Sequence, residues 1–97
     1  MRNVTSQIVE AFGARRAARI SNSSTDGQAL FLHGNKIAEW RDNGLWVTTA
    51  GWNTVTTRER LNGLPGVRVT ARGVLRLNGK VWDGSWACVA PGQPFSA

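Results

Sequence analysis

Residues 29–47 read Ala29-Leu30-Phe31-Leu32-His33-Gly34-Asn35-Lys36-Ile37-Ala38-Glu39-Trp40-Arg41-Asp42-Asn43-Gly44-Leu45-Trp46-Val47, and this stretch decides the fold. Short runs rich in Leu, Phe, Ile, Trp and Val are broken twice by a Gly/Asn pair, the chemistry of two-residue hairpin turns. Gly34-Asn35 suits a type II′ turn, with Gly at the first central position. That choice sets Leu32 opposite Ile37 and Phe31 opposite Ala38. Asn43-Gly44 suits a type I′ turn, which sets Trp40 opposite Val47 and Arg41 opposite Trp46. Both registers gather Phe31, Ala38, Trp40 and Val47 on one side of a three-stranded meander.

Toward the C-terminus, Thr56-Thr57-Arg58-Glu59 has the spacing of a capping box, with Glu59 reaching back toward the backbone of Thr56. A short helix follows. Leu61 and Leu64 dock it, Gly63 supplies a left-handed cap and Pro65 stops it. Val67–Ala71 and Leu75–Leu77 form a third hairpin whose register the side chains select. A two-residue loop would oppose Val69 to Arg76, whereas a three-residue loop from Arg72 to Val74 opposes Val69 to Leu77 and keeps apolar with apolar. Arg68, Thr70 and Arg76 then share the other face. Asn78-Gly79 turns the chain into Val81-Trp82, and residues 90–97 read as a loose tail.

Toward the N-terminus, Thr5 or Ser6 caps a helix expected to run to about Arg19, with Ile8, Val9 and Phe12 at helical spacing. Arg15, Arg16 and Arg19 crowd its last turns, where cations complement the helix dipole. Ser21–Gly27 reads as a polar loop ending in an Asp-Gly turn. The expected fold class is α+β: a five- or six-stranded, mostly antiparallel sheet of hairpins over about residues 28–86, with the N-terminal helix and a short internal helix. At 97 residues the chain is expected to form one domain.

Composition narrows the function classes. Twelve Lys and Arg against six Asp and Glu give a formal charge of +6. Ten of the twelve cations are Arg, which forks onto phosphate and carboxylate and stacks on aromatic rings. An anionic partner follows, either nucleic acid or an acidic protein surface, although a basic surface also serves solubility alone. Cys88 is the single cysteine, so no intrachain disulfide forms, and a metal site would need His33 and scattered carboxylates. No metal or other cofactor is expected. The start lacks an apolar leader segment, and no apolar run approaches the roughly 18 residues of a membrane span. A cytoplasmic protein without membrane contact is expected.

His33 is the sole histidine and neighbours several carboxylates in sequence, but no nucleophile or second catalytic group accompanies it. It reads as a turn-side residue of the first hairpin. Cys88 has no basic neighbour in sequence and reads as a small packed side chain. None of the eleven glycines falls in a phosphate-cradling motif. No catalytic residue is assigned, and the chain is expected not to be an enzyme. Tryptophans interleaved with Arg stack on unpaired bases in some proteins, but about three of the five are expected in the core on grounds of size. Trp46 is the best surface candidate. A cation–π pair with Arg41 would explain it structurally as well.

Two strings carry a resemblance. The run Thr25-Asp26-Gly27-Gln28-Ala29-Leu30-Phe31-Leu32-His33-Gly34-Asn35-Lys36-Ile37-Ala38 and the run Ala50-Gly51-Trp52-Asn53-Thr54-Val55-Thr56-Thr57-Arg58-Glu59-Arg60-Leu61-Asn62, together with Asn78-Gly79-Lys80-Val81-Trp82, resemble a family of small bacteriophage proteins. The resemblance covers roughly residues 20–82. It implies a phage origin and an accessory role of the host-takeover or anti-defence kind, and it carries no catalytic residues.

The expected function is non-enzymatic binding of a host bacterial protein, such as a component of a defence system or of transcription, which is inhibited or redirected by occlusion. The alternative is a nucleic-acid-binding protein with Arg on phosphates and Trp on bases. The candidate partner-contacting residues are Arg15, Arg16, Arg19, Arg41, Trp46, Arg68, Arg72 and Arg76. A homodimer through an open sheet edge is a further option.

Overall fold

Asn3 starts the first helix by accepting a hydrogen bond from the Ser6 backbone N–H at 2.8 Å, which satisfies one of the free donors of the first turn. The computed structural model describes residues 3–42, 44–51 and 54–89. In it, helix α1 spans Val4–Gly13 and buries Thr5, Ile8, Ala11 and Phe12, an apolar stripe at helical spacing. The expected extension to Arg19 does not occur. Ala14 N donates to Glu10 O, Arg15 takes a left-handed φ of 58°, and Ala17–Ile20 becomes strand β1. A helix continued past Gly13 would present Arg15, Arg16 and Arg19 with no apolar stripe to dock, whereas strand pairing gains a backbone ladder.

Strand β2, Ser23–Asp26, was expected as loop. It pairs antiparallel with β1, Ala17 opposite Asp26 through Ile20 opposite Ser23, and its buried Ser23 and Thr25 face inward. The Thr25 hydroxyl donates to Ala29 O at 2.6 Å and accepts from Gly27 N at 3.0 Å, so burial leaves it satisfied.

Strands β3 (Ala29–Leu32), β4 (Asn35–Arg41) and β5 (Gly44–Val47) form the expected meander in a different register. The first turn is His33-Gly34, with φ of 52° and 82°, so it is a type I′ turn one residue earlier than expected. Leu32 therefore faces Asn35 and Phe31 faces Lys36. The register then shifts, and Leu30 faces Ala38. Ile37 is the extra residue of a β-bulge, which lets both Ile37 and Ala38 be buried where strict alternation would bury one. Phe31 accordingly lies on the face opposite Ala38, not with it. The second hairpin pairs Arg41 with Gly44, Trp40 with Leu45 and Ala38 with Val47, so Trp40 does not face Val47. Of the expected Asn43-Gly44 turn, Gly44 is the first residue of β5, and Asn43 lies outside the described residues.

Helix α2 spans Val55–Asn62. Its cap is Thr54, whose hydroxyl accepts from Thr57 N at 3.1 Å, two residues before the expected capping box. Glu59 is free to do something else. Gly63 is right-handed (φ −76°, ψ −15°), so its glycine is required for a reason other than backbone conformation. A Cβ there would meet Thr5 Cγ2 at 2.5 Å and Val9 Cγ2 at 3.1 Å, so Gly63 is where the end of α2 presses against α1.

The third hairpin follows its expected register. Strands β6 (Val69–Thr70) and β7 (Arg76–Leu77) pair Val69 with Leu77 and Thr70 with Arg76, and β7 pairs with β8 (Lys80–Val81) through a type I′ Asn78-Gly79 turn. Strand β9, Ala87–Cys88, returns to β5 and completes a six-stranded sheet ordered β1-β2-β3-β4-β5-β9, beside the three-stranded β6-β7-β8. The fold is α+β, and both sheets are antiparallel.

One core joins these parts: Ile8 and Phe12 of α1, Leu30, Leu32, Ile37, Ala38, Leu45 and Val47 of the large sheet, Leu61 and Leu64 at α2, and Val67, Val69 and Leu77 of the small sheet. Burying each large side chain contributes about 1.5–3 kcal/mol. No helix among the described residues is long and apolar enough to cross a membrane.

Candidate partner-binding surface

Strand register divides the large sheet into an inner face, which meets the core, and an outer one. Residues paired across strands share a face, and faces alternate along each strand. The pairs Arg19–Ser24, Ser24–Phe31 and Phe31–Lys36, then Glu39–Trp46 and Trp46–Cys88, set one continuous outer face. It carries three exposed cations, Arg19, Lys36 and Arg41, and two half-buried rings, Phe31 and Trp46.

Its best-organised part surrounds Arg41. The guanidinium carbon lies 4.6 Å from the Trp46 ring centroid and 4.7 Å from that of Trp86, so both rings contact one cation. Arg41 Nε donates to Glu39 Oε1 at 2.9 Å, and Lys36 Nζ donates to Glu39 Oε2 at 3.1 Å. The guanidinium first, then the ammonium, holds the Glu39 carboxyl below its ordinary range. The result is a fixed array of two indoles, a guanidinium and a shared carboxylate, with Trp86 36% exposed. Such an array supplies aromatic and Arg contact area with its side chains already ordered, which lowers the entropy cost of binding.

The sequence-predicted residues separate into three places. Arg41 and Trp46 form the array, and Arg19 lies farther along the same outer face. Arg15 sits instead over Trp40, its guanidinium carbon 4.3 Å from the ring centroid, while Trp40 stacks on Phe12 (5.1 Å, 17°) and donates its Nε1–H to Phe12 O at 3.0 Å. Arg16 lies 3.9 Å from Glu10. Arg15 and Arg16 thus act around the end of α1 and do not share a helical face with Arg19. Arg68, Arg72 and Arg76 are exposed on the small sheet and its hairpin loop.

Of the tryptophans, Trp40 and Trp82 pack against the core. Of the four described, none is fully buried: Trp40, Trp46 and Trp82 are half-buried and Trp86 is exposed. Each polar edge or ring face found a partner, as in Trp82 Nε1–H donating to Ser85 O at 2.8 Å. Trp52 lies outside the described residues. Trp86 is the member of the array that sequence reasoning missed, because only the return of β9 to β5 brings it to Arg41. The missed polar centre is Arg60, which is buried. His33 is exposed and occupies the first hairpin turn. Among the described residues, no cluster of three His, Cys, Asp or Glu side chains is arranged to hold a metal ion.

No curated protein and no solved structure matches the chain. A family model described as Kyanoviridae Gp96 protein matches residues 1–87. The chain belongs to that family of phage proteins.

Proposed function

We propose that this phage protein is a non-enzymatic accessory factor that binds a host bacterial protein in the host cytoplasm and inhibits or redirects it by occlusion, using the outer face of the large sheet. The observation that supports this reading is the stack of Arg41 on Trp46 and Trp86. Trp and Arg are the residue types most enriched among the few contacts that carry binding energy at protein interfaces. Here they are adjacent, partly exposed and held by Glu39, with Phe31 and Lys36 alongside to extend the patch.

The test is a comparative pull-down from nuclease-treated host lysate with the tagged protein, the double variant Trp46→Ala/Trp86→Ala and the double variant Arg68→Gln/Arg76→Gln. The expected result is one host protein retained in stoichiometric amount by the wild type and by the small-sheet variant, and lost from the tryptophan variant. Retention of that protein by the tryptophan variant, or recovery of no host protein by the wild type, would overturn the reading.

A further inference from the structure

Charge is distributed unevenly along the chain. Residues 60–82 contain no Asp or Glu, yet they carry Arg60, Arg68, Arg72, Arg76 and Lys80. Arg60 is buried in a network of its own. The other four are exposed, and among the described residues none of them makes an ion pair. The acids bracketing this segment are occupied elsewhere. Glu59 pairs with Arg60 at 2.9 Å, and Asp83 accepts from Ser85 N at 2.9 Å and from Ser85 Oγ at 2.6 Å.

Geometry concentrates these cations. Val69 and Leu77 face the core, so Thr70 and Arg76 face outward. Asn78 N donates to Arg68 O at 2.8 Å and Arg68 N donates to Asn78 Oδ1 at 2.8 Å, which continues the ladder and sets Arg68 on the same outward face, diagonal to Arg76. Arg72 lies in the loop joining the two strands, whereas Lys80 pairs with core-facing Leu77 and leaves the edge strand β8 on the other side, where Val81, paired with Arg76, shares the outward face. The backbone beneath is pinned: Asn62 Nδ2 donates to Val69 O at 3.0 Å, and Val69 N donates to Asn62 Oδ1 at 2.6 Å. Arg68 and Arg76 therefore share the outward face of a short sheet, with Arg72 in its loop, and Arg76 Nη1 donates to Gly79 O at 3.4 Å.

We propose that the outer face of β6-β7-β8 binds the phosphodiester backbone of nucleic acid, as a site separate from the aromatic face of the large sheet. Charge complementarity selects this occupant. The core of a protein interface is depleted of charge and anchored by large aromatic side chains, whereas this face and its loop carry three arginines, with valines as the exposed large apolar residues. A phosphate backbone is the regular polyanion that such a surface neutralises, with affinity independent of base sequence.

The experiment is fluorescence anisotropy of a short labelled DNA duplex of mixed sequence over a salt series. It compares the full chain with Arg68→Gln/Arg72→Gln/Arg76→Gln and with the control Arg15→Gln/Arg16→Gln/Arg19→Gln, each checked for an unchanged unfolding midpoint. The wild type is expected to bind with a steep negative dependence of log K on log salt. The small-sheet variant should lose most of the affinity and flatten that slope by roughly 2 to 3, from about 0.9 per phosphate contact. The control should change the slope by less than about one contact's worth. Polyglutamate at matched charge should not displace the duplex. No binding by the wild type, equal weakening by both variants, or displacement by polyglutamate would overturn the proposal, the last in favour of an acidic protein segment.

Discussion

Arg60 Nη1 donates to the Thr5 hydroxyl at 2.6 Å, so one guanidinium ties α2 to α1 across 55 positions of sequence. The same side chain donates from Nε to Ser23 Oγ at 3.0 Å and from Nη2 to Asn22 Oδ1 at 3.2 Å, and pairs with Glu59 at 2.9 Å. Its side chain is 7% exposed. A buried charge survives only when it is paired and hydrogen-bonded, and here two helices, Asn22 and the start of β2 supply four acceptors.

Replacing Arg60 with Met keeps much of the volume but strips these partners. The loss should cost about 3 kcal/mol. Arg60→Lys should cost less, about 1–2 kcal/mol, because one ammonium lacks the planar fork that spans four acceptors. Equilibrium urea unfolding measures both, and an unmoved midpoint would show the network to be dispensable.

Gly63→Ala should destabilise by about 1–3 kcal/mol, since the new methyl drives into Thr5 Cγ2. The diagnostic result is the double variant. Thr5→Ser removes the opposing methyl while keeping the hydroxyl that Arg60 needs, so Gly63→Ala should cost less in that background than in the wild type. Equal costs in both backgrounds would locate the strain elsewhere.

Asn62 acts as a strand partner for β6, with its amide accepting from Val69 N and donating to Val69 O. Asn62→Ala should lose about 2 kcal/mol and loosen the small sheet before the rest. Amide exchange at Val69 should accelerate more than exchange at Val47 in the middle of the large sheet. A uniform change would mean that the two sheets open together.

Acid should weaken the fold through Asp26 and Glu39. Backbone N–H donors of Ala29 and then Gln28 hold the Asp26 carboxyl below its ordinary value, and Arg41 and Lys36 do so for Glu39. A carboxyl depressed in the folded state contributes stability that is complete above the unfolded value, near 4, and is lost as pH falls through the folded one. These groups therefore contribute no slope between about pH 5 and 8. Melting temperature should fall below pH 4, and Asp26→Asn should make that acid limb shallower. An identical limb in the variant would remove Asp26 from the account.

Arg41→Ala should change stability by no more than about 1 kcal/mol, because the stack and its ion pair lie at the surface. Thermal unfolding tests this. A much larger loss would make the array part of the scaffold and not a surface held in readiness for a partner.

Some of this molecule was legible in its residues alone. The three-residue loop between Val69 and Leu77 followed from one comparison of apolar pairing, and Asn78-Gly79 formed the turn its residue types demand. The pairing of Arg41 with Trp46 was within reach because both sit in one hairpin. Local chemistry decided these features, since two-residue turns and core-facing alternation act over a few residues.

Other features came only from the tertiary structure. The Leu-Phe-Leu and Ile-Ala runs admit several registers, and a bulge at Ile37 selected the one that buries both Ile37 and Ala38 against the helices. Ser23–Asp26 has the composition of a loop, yet the neighbouring strands and the Arg60 network satisfy its hydroxyls and make it a strand. Ala17–Ile20 left the helix for the same reason: its ladder partner lies beyond a turn, where helical periodicity carries no information. Trp86 reached Arg41 by the return of β9, and Arg60 reached Thr5 by the packing of two helices. In the third hairpin, turn and patterning were set by the sequence within the segment; the register of the meander, which segments met, and hence where the charges and rings gathered, were set by the burial of one shared core.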